Sequence, residues 1–414
     1  MKIEHIIPLT CLGFTTISSL QISMFGTALP LIVAELNIDY SLIGILMALW
    51  TFATFIAPLT IGRYVDKLNP LMVIVIVMLV SLFSSLLTAF SRNLIELNTA
   101  RLLLSLSLPF VWPTCTKIVT VYTSSRSYGY STAVFNFGSM AGMALSYIVM
   151  ALVGGSSWRV AVIVAGLPVL IYIPIVTAIW NAVIRGGIEI KGSVFRQDQQ
   201  VDVRYPNIIQ KDIVKIAIQL FLAHFCAVYT WSLLINWLST FLINELKFSY
   251  NYIAIYMFLI ATISGILEVS AGTYSDRIGG LRGRLMILYV GLVSSSILLL
   301  STVLTTSSSL IIMSLASLSI LMWRISTPSF WSIISDAIPL NYIGKISRIY
   351  VSAVPLAGIT SSIVNGYVVS ATGSVKYGVI ISSILLLLSP LLYTFAARIG
   401  YRYKNHLDGK VGIR

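Results

Sequence analysis

Gly272-Thr273-Tyr274-Ser275-Asp276-Arg277 repeats the pattern of Gly62-Arg63-Tyr64-Val65-Asp66-Lys67, 210 positions earlier (272 minus 62). Both read Gly-x-Tyr-x-Asp-basic, and each closes a long apolar run. A fainter echo pairs Pro109-Phe-Val-Trp112 with Pro328-Ser-Phe-Trp331, so a few residues are inserted between the two echoes. Similarity at half the chain length predicts two related halves.

Outward from these copies, apolar runs fall at roughly 6–34, 42–61, 70–90, 94–116, 129–153 and 160–184, then 213–240, 250–274, 285–304, 308–335, 349–370 and 377–397. Most reach the roughly 18 residues needed to cross about 30 Å of hydrocarbon. Lipid offers no partner to an unpaired backbone group, so each run must be a helix. Barrel strands would be about ten residues long with alternating polarity. Composition agrees: 57% of residues are apolar and 10% charged, against about 25% charged in a soluble domain. The expected fold is an all-α membrane protein of twelve transmembrane helices in two pseudo-symmetric six-helix bundles.

Lysine and arginine positions set the orientation. With the N-terminus inside, inner segments hold 21 of them and outer loops hold four, Arg92, Arg159, Lys247 and Lys376. Both termini are expected in the cytoplasm of a cell-membrane protein. The domains follow as an N-terminal bundle at 1–184, a cytoplasmic linker at 185–212, a C-terminal bundle at 213–397 and a basic tail at 398–414. The run beginning at Ile6 is too long for a signal peptide's apolar core and reads as the first span. The net charge of +13 does not indicate a nucleic-acid partner, because the basic residues sit in short loops. Cys11, Cys115 and Cys226 lie in apolar runs and suit neither a metal site nor a disulfide framework.

The repeated loop resembles the motif between helices 2 and 3 of the major facilitator superfamily, approximately Gly-x-x-x-Asp-Arg-x-Gly-Arg-Arg. The second copy, Gly272 to Arg284, matches with a small insertion. The first keeps Gly62, Asp66 and Lys67, then departs at Asn69-Pro70. Arg101 matches the arginine of the family's helix 4 motif, with Ser105 in place of the usual glycine. Gly138-x-x-x-Gly142 falls in helix 5 without the Gly-Pro of proton-driven drug antiporters, and Trp158-Arg159 precedes helix 6. The resemblance covers nearly the whole chain. It implies secondary transport by alternating access. It also implies a gating latch: Gly62, Asp66 and Lys67 would face helix 11 near Lys345 and Arg348, while Gly272, Asp276 and Arg277 would face helix 5 near Arg126 and Ser127. A loop that merely sets topology is the alternative.

Ionisable groups at bilayer depth are costly and mark cavities or partners. Arg324 lies near the middle of span 10 with no acidic residue within a turn of its own helix, and is a candidate for substrate or coupling work or else a structural donor to helix ends. For Arg101 the family resemblance implies a role in proton coupling or substrate contact; a local ion pair with Glu96 is the alternative. Glu268, one turn before Gly272, is a candidate proton carrier or a partner of a loop arginine. His224 can titrate near neutral pH or serve as a hydrogen-bonded core residue. Gln21, Asn136, Gln219, Asn236 and Asn365 are candidate cavity-lining or interhelical groups. Trp112 and Trp331 follow prolines, where a broken helix admits substrate contact. Trp50, Tyr122, Trp158 and Tyr377 read as interface anchors.

Two arginines within the apolar runs and no carboxylate near the midplane point to a small organic or inorganic anion as substrate, with symport of a proton as an open possibility. A proton-coupled multidrug or metabolite efflux pump is the alternative. A membrane sensor on the same fold is another, although the long cytoplasmic extension usual there is missing. Enzyme chemistry is not expected: His5, His224 and His406 are scattered and no paired carboxylates occur. No catalytic residue, metal ligand set or cofactor is expected, and no phosphate-loop motif is visible. The expected partners are a small-molecule substrate and the lipid bilayer, with the protein a monomer.

Overall fold

A computed structural model of the chain describes residues 3–60, 67–122, 128–154, 157–185, 207–305, 308–337 and 340–411. Among them, twelve helical segments are long and apolar enough to cross a membrane, from Ile6–Leu36 to Lys376–Ile399.

Local sequence explains where helices begin. After α1 (Ile3–Leu36) and α2 (Tyr40–Thr60), α3 (Pro70–Phe90) starts with proline at its first position, and the Asn69 side chain accepts the Leu71 amide at 3.0 Å. Proline lacks the amide that a first turn would leave unpaired. In α4 (Leu94–Ser107), Asn93 accepts the Glu96 amide at 3.0 Å and donates back to its carboxylate at 2.8 Å, a reciprocal cap. Glu96 also accepts the Arg92 amide, so it is a capping group and not the partner of Arg101.

Three interruptions fall at prolines, while Pro8, Pro30, Pro174, Pro355 and Pro390 lie inside continuous helices. At Pro109, Leu108–Phe110 forms a 3₁₀ turn before α5 (Val111–Tyr122). The next span is α6 (Tyr128–Val149), closed by a π turn. Span 6 breaks before Pro168 into α7 (Trp158–Gly166) and α8 (Pro168–Arg185). After α9 (Asn207–Thr240), α10 (Tyr250–Ile278) and α11 (Gly280–Leu304) meet at Gly279 alone. Its φ of 87° is a conformation that glycine adopts without strain. Span 10 breaks at Ser326, two residues before Pro328, into α12 (Ser309–Ile325) and α13 (Thr327–Ala337). The chain ends with α14 (Leu340–Thr372) and α15 (Lys376–Val411).

The chain forms two compact units. One comprises Met1–Phe195, Ile235–Thr262 and Val369–Ser374; the other comprises Arg196–Leu234, Ile263–Val368 and Val375–Arg414. In the first, α1 lies against α6. A Cβ added at Gly142 would collide with the Thr16 carbonyl, and one at Gly138 with the Thr15 hydroxyl and, at 3.0 Å, the Leu12 carbonyl. Close backbone approach is what small residues provide inside a membrane, and Thr15 uses it to donate to the Phe135 carbonyl at 2.7 Å. Phe14, Met78, Val111 and Phe135 build the surrounding core.

The same unit joins α1 and α2 to the far end of span 7. Ser239 donates to the Gly26 carbonyl. Tyr250 donates to the Thr27 carbonyl at 2.9 Å, and Asn244 to the Tyr40 hydroxyl at 3.0 Å. Ser370 donates to Asp39 at 2.8 Å, and Ser374 to Glu245 at 2.8 Å.

In the second unit, Leu292, Trp323, Phe330, Tyr350 and Tyr393 form the core. Serine hydroxyls stitch its helices together, Ser295 with Ser319 and Ser296 with the Ser383 carbonyl at 2.7 Å. Large apolar side chains such as Phe83 and Ile95 remain exposed, as expected when the surrounding medium is hydrocarbon.

Candidate functional site

In the second unit, Arg324 at the end of α12 forms an ion pair with Glu268 of α10. Their side chains keep 9% and 16% of their exposure. The break at Ser326 places the guanidinium beside α10, and its carbon lies 5.6 Å from the Trp231 ring centroid. Trp231 stacks on Trp323 with centroids 4.6 Å apart, and the Trp323 indole donates to the Ala227 carbonyl at 3.0 Å. A cation between a carboxylate and an aromatic face is stabilised by both. No acid lies within a turn of Arg324 on its own helix, as the sequence reads, but the expectation that the buried arginines lack a carboxylate nearby is corrected. The acid comes from another helix, where one-helix spacing cannot reveal it.

Arg101, on α4 in the first unit, has different company. Its terminal nitrogens approach the Gln21 and Ile22 carbonyls of α1 at 3.3 and 3.4 Å. The guanidinium carbon lies 4.9 Å from the Phe25 ring centroid and 5.5 Å from that of Trp50. Its Nε and both polar atoms of the Gln21 side chain lack a hydrogen-bond partner among the described residues. Gln21 is 2% exposed. These groups line a hollow of about 10 Å³ shared with Ser85 and Thr88 of α3 and with Val162 of α7, about the volume of one water. Gln21 and Arg101 thus converge, as two candidates of one site would.

Trp50 is buried and donates to Asn98 at 2.9 Å. Trp158 is buried and donates to Glu35, which also binds Arg159 at 2.9 Å. Neither is an interface anchor: each indole has its partner within the protein. Tyr377 is exposed and Tyr122 half-buried against Trp180. Glu35 carried no sequence signal, since its partners lie far along the chain.

His224, on α9, is a hydrogen-bonded core histidine. Nδ1 lies 3.2 Å from the Tyr393 hydroxyl, which lies 2.7 Å from that of Tyr350, which donates to the Phe330 carbonyl at 2.8 Å. The chain has one polarity. The carbonyl only accepts, so Tyr350 spends its proton there, Tyr393 donates to Tyr350, and Nδ1 donates to Tyr393. The imidazole stacks on Tyr350, centroids 4.1 Å apart, and meets Trp331 edge-on at 6.0 Å. Trp331 itself is 55% exposed.

Asn136 is half-buried and accepts from the Trp112 indole at 3.3 Å. Asn236 is half-buried in the first unit beside Gly26. Asn365 donates to the Ser361 carbonyl at 2.7 Å, an interaction within one helix. The Gln219 side-chain oxygen is buried without a hydrogen-bond partner among the described residues.

Of the loop motif, Gly62 and Asp66 lie outside the described residues, and Lys67 is exposed. Asp276 binds Arg284 at 2.5 Å within its own copy, and Arg277 is exposed. A methyl added at Gly272 would sit 3.5 Å from Pro328, an ordinary contact. Arg126 and Ser127 also lie outside the described residues.

Among the described residues, twelve helices long and apolar enough to cross the bilayer define a multi-pass membrane protein. The chain belongs to the Major Facilitator Superfamily, whose family model matches residues 11–362. It is a transporter and not an enzyme. It is 25% identical over 379 residues to the probable sulfoacetate transporter SauU of Cupriavidus necator, covering 87% of this chain and 86% of that one. It is 27% identical over 158 residues to the benzoate transport protein of Acinetobacter baylyi, covering 37% of this chain and 34% of that one. In fold it is similar to a bacterial homologue of the human lysosomal transporter Spinster, solved inward-facing and unoccupied. That match has a TM-score of 0.77 at 12% identity and covers 97% of this chain and 98% of that one.

Proposed function

We propose that this protein carries a small organic anion across the cell membrane by alternating access, in symport with a proton. The observation that carries the reading is the Arg324–Glu268 pair beside Trp231. Leaving one member of a buried ion pair without its partner costs about 3–5 kcal/mol. When Glu268 takes a proton, Arg324 loses its counter-charge, and a substrate carboxylate or sulfonate replaces it. The planar guanidinium suits either group. Proton and anion therefore bind together, and release of the proton restores the pair and expels the anion.

The likeness to carriers named for sulfoacetate and benzoate supports the anionic class. Arg101, whose contacts in the first unit are carbonyls and aromatic faces, adds positive potential. The loop copies serve as the latch of the transport cycle, in a monomer whose 1–184 and 213–397 halves rock about the linker, with both termini cytoplasmic.

The test is uptake by proteoliposomes with sulfoacetate and benzoate as probes, under an imposed pH gradient. Wild-type protein accumulates a probe when the substrate side is acid. Glu268→Gln keeps anion exchange without net gradient-driven accumulation, and Arg324→Gln loses both. Unimpaired anion uptake by Arg324→Ala would sink the reading.

A further inference from the structure

We infer that the groove between α3 and α4 binds an anionic phospholipid, with an acyl chain in the groove and the phosphate at Lys67. The groove has a volume of about 210 Å³ and is walled by Val73, Val77 and Val80 of α3, Leu103 and Leu106 of α4, and Phe110 of the 3₁₀ turn. The one polar side chain on its wall, Ser107, is occupied in donating to the Leu104 carbonyl at 2.9 Å. Nothing on the wall invites water or a charged solute.

Val80 lies ten residues beyond Pro70, about 15 Å along a helix axis, which is half of the roughly 30 Å hydrocarbon thickness. The wall also extends to Leu68, the residue after Lys67. Charge at that mouth comes from Lys67, which is exposed; the first turn of α3 is already capped by Asn69. A lipid phosphate is the charge complement that an exposed lysine at the headgroup level attracts. An acyl chain is the apolar body that the surrounding bilayer supplies.

The experiment uses the full-length protein, delipidated in a neutral detergent, and follows thermal unfolding as lipid is added. Phosphatidylglycerol raises the melting temperature with a lower midpoint concentration than phosphatidylcholine, while soluble glycerophosphate leaves it unchanged. Lys67→Gln raises the phosphatidylglycerol midpoint about fivefold, the effect of one basic residue at a membrane surface, and Lys67→Arg does not. Leu106→Trp, at an exposed position, fills the groove and removes the response to both lipids. Ile76→Trp, exposed on α3, does the same if the first variant does not fold. Equal responses to the two lipids in the wild type, or an undiminished response in both tryptophan variants, overturns the site. A phosphatidylglycerol preference that survives in Lys67→Gln overturns the placement of the headgroup.

Discussion

Glu268 of α10 and Arg324 of α12 neutralise each other in the interior of one unit, and neither has a charged neighbour on its own helix within a turn. Each single substitution therefore strands a charge, and the double substitution strands none. Glu268→Gln and Arg324→Gln are each expected to lower thermal stability. The double variant should recover part of the loss, with a coupling energy of about 1–3 kcal/mol. A double-mutant cycle in detergent measures it, and strict additivity would show that the pair contributes no stability.

The His224–Tyr393–Tyr350 chain fixes which nitrogen carries the proton. Nitrogen-15 NMR of labelled histidine should report the Nδ1–H tautomer at neutral pH. Tyr393→Phe leaves a buried imidazole donor and the Tyr350 oxygen short of a partner, and should cost about 1–3 kcal/mol. An Nε2–H signal in the wild type would reverse the chain's polarity.

Two glycines that look alike in sequence should behave differently. At Gly142 a side chain meets the α1 backbone at Thr16, whereas at Gly272 the nearest foreign atom is Pro328 at 3.5 Å. Gly142→Ala should lose about 1–3 kcal/mol through overpacking, and Gly272→Ala should stay within about 0.5 kcal/mol of wild type. Matched thermal unfolding curves decide it.

Asp39 lies in the turn between α1 and α2. The Ser41 hydroxyl foremost, and then Ser370, hold its carboxyl below the usual carboxylate range. A depressed folded-state value means a contribution to stability present above the ordinary value of about 3.9 and lost as pH falls through the lower one. The stability advantage of wild type over Asp39→Asn should be constant at neutral pH and vanish in strong acid. An advantage unchanged at the lowest pH that the fold tolerates would show that the ionised carboxylate is not what Ser370 recognises.

The twelve spans were legible in the sequence, because hydrocarbon forces every apolar run of sufficient length into a helix whatever its neighbours. The run at 70–90 became Pro70–Phe90 unchanged. Proline alone did not mark the breaks: those at 109, 168 and 328 fall at interruptions, whereas Pro8, Pro30, Pro174, Pro355 and Pro390 sit inside continuous helices. Helix ends away from the apolar runs were less legible. α14 begins nine residues before the run at 349, and α15 extends to Val411, because a helix leaving the bilayer needs no apolar residues to continue. Only the tertiary structure decided the partners. It gave Arg324 to Glu268, Gln21 to the hollow beside Arg101, Trp158 to Glu35, and His224 to two tyrosines from other helices. A buried charge or donor is satisfied by whichever group helix packing brings within 3 Å or so, and that distance is set by crossings between helices far apart in the chain.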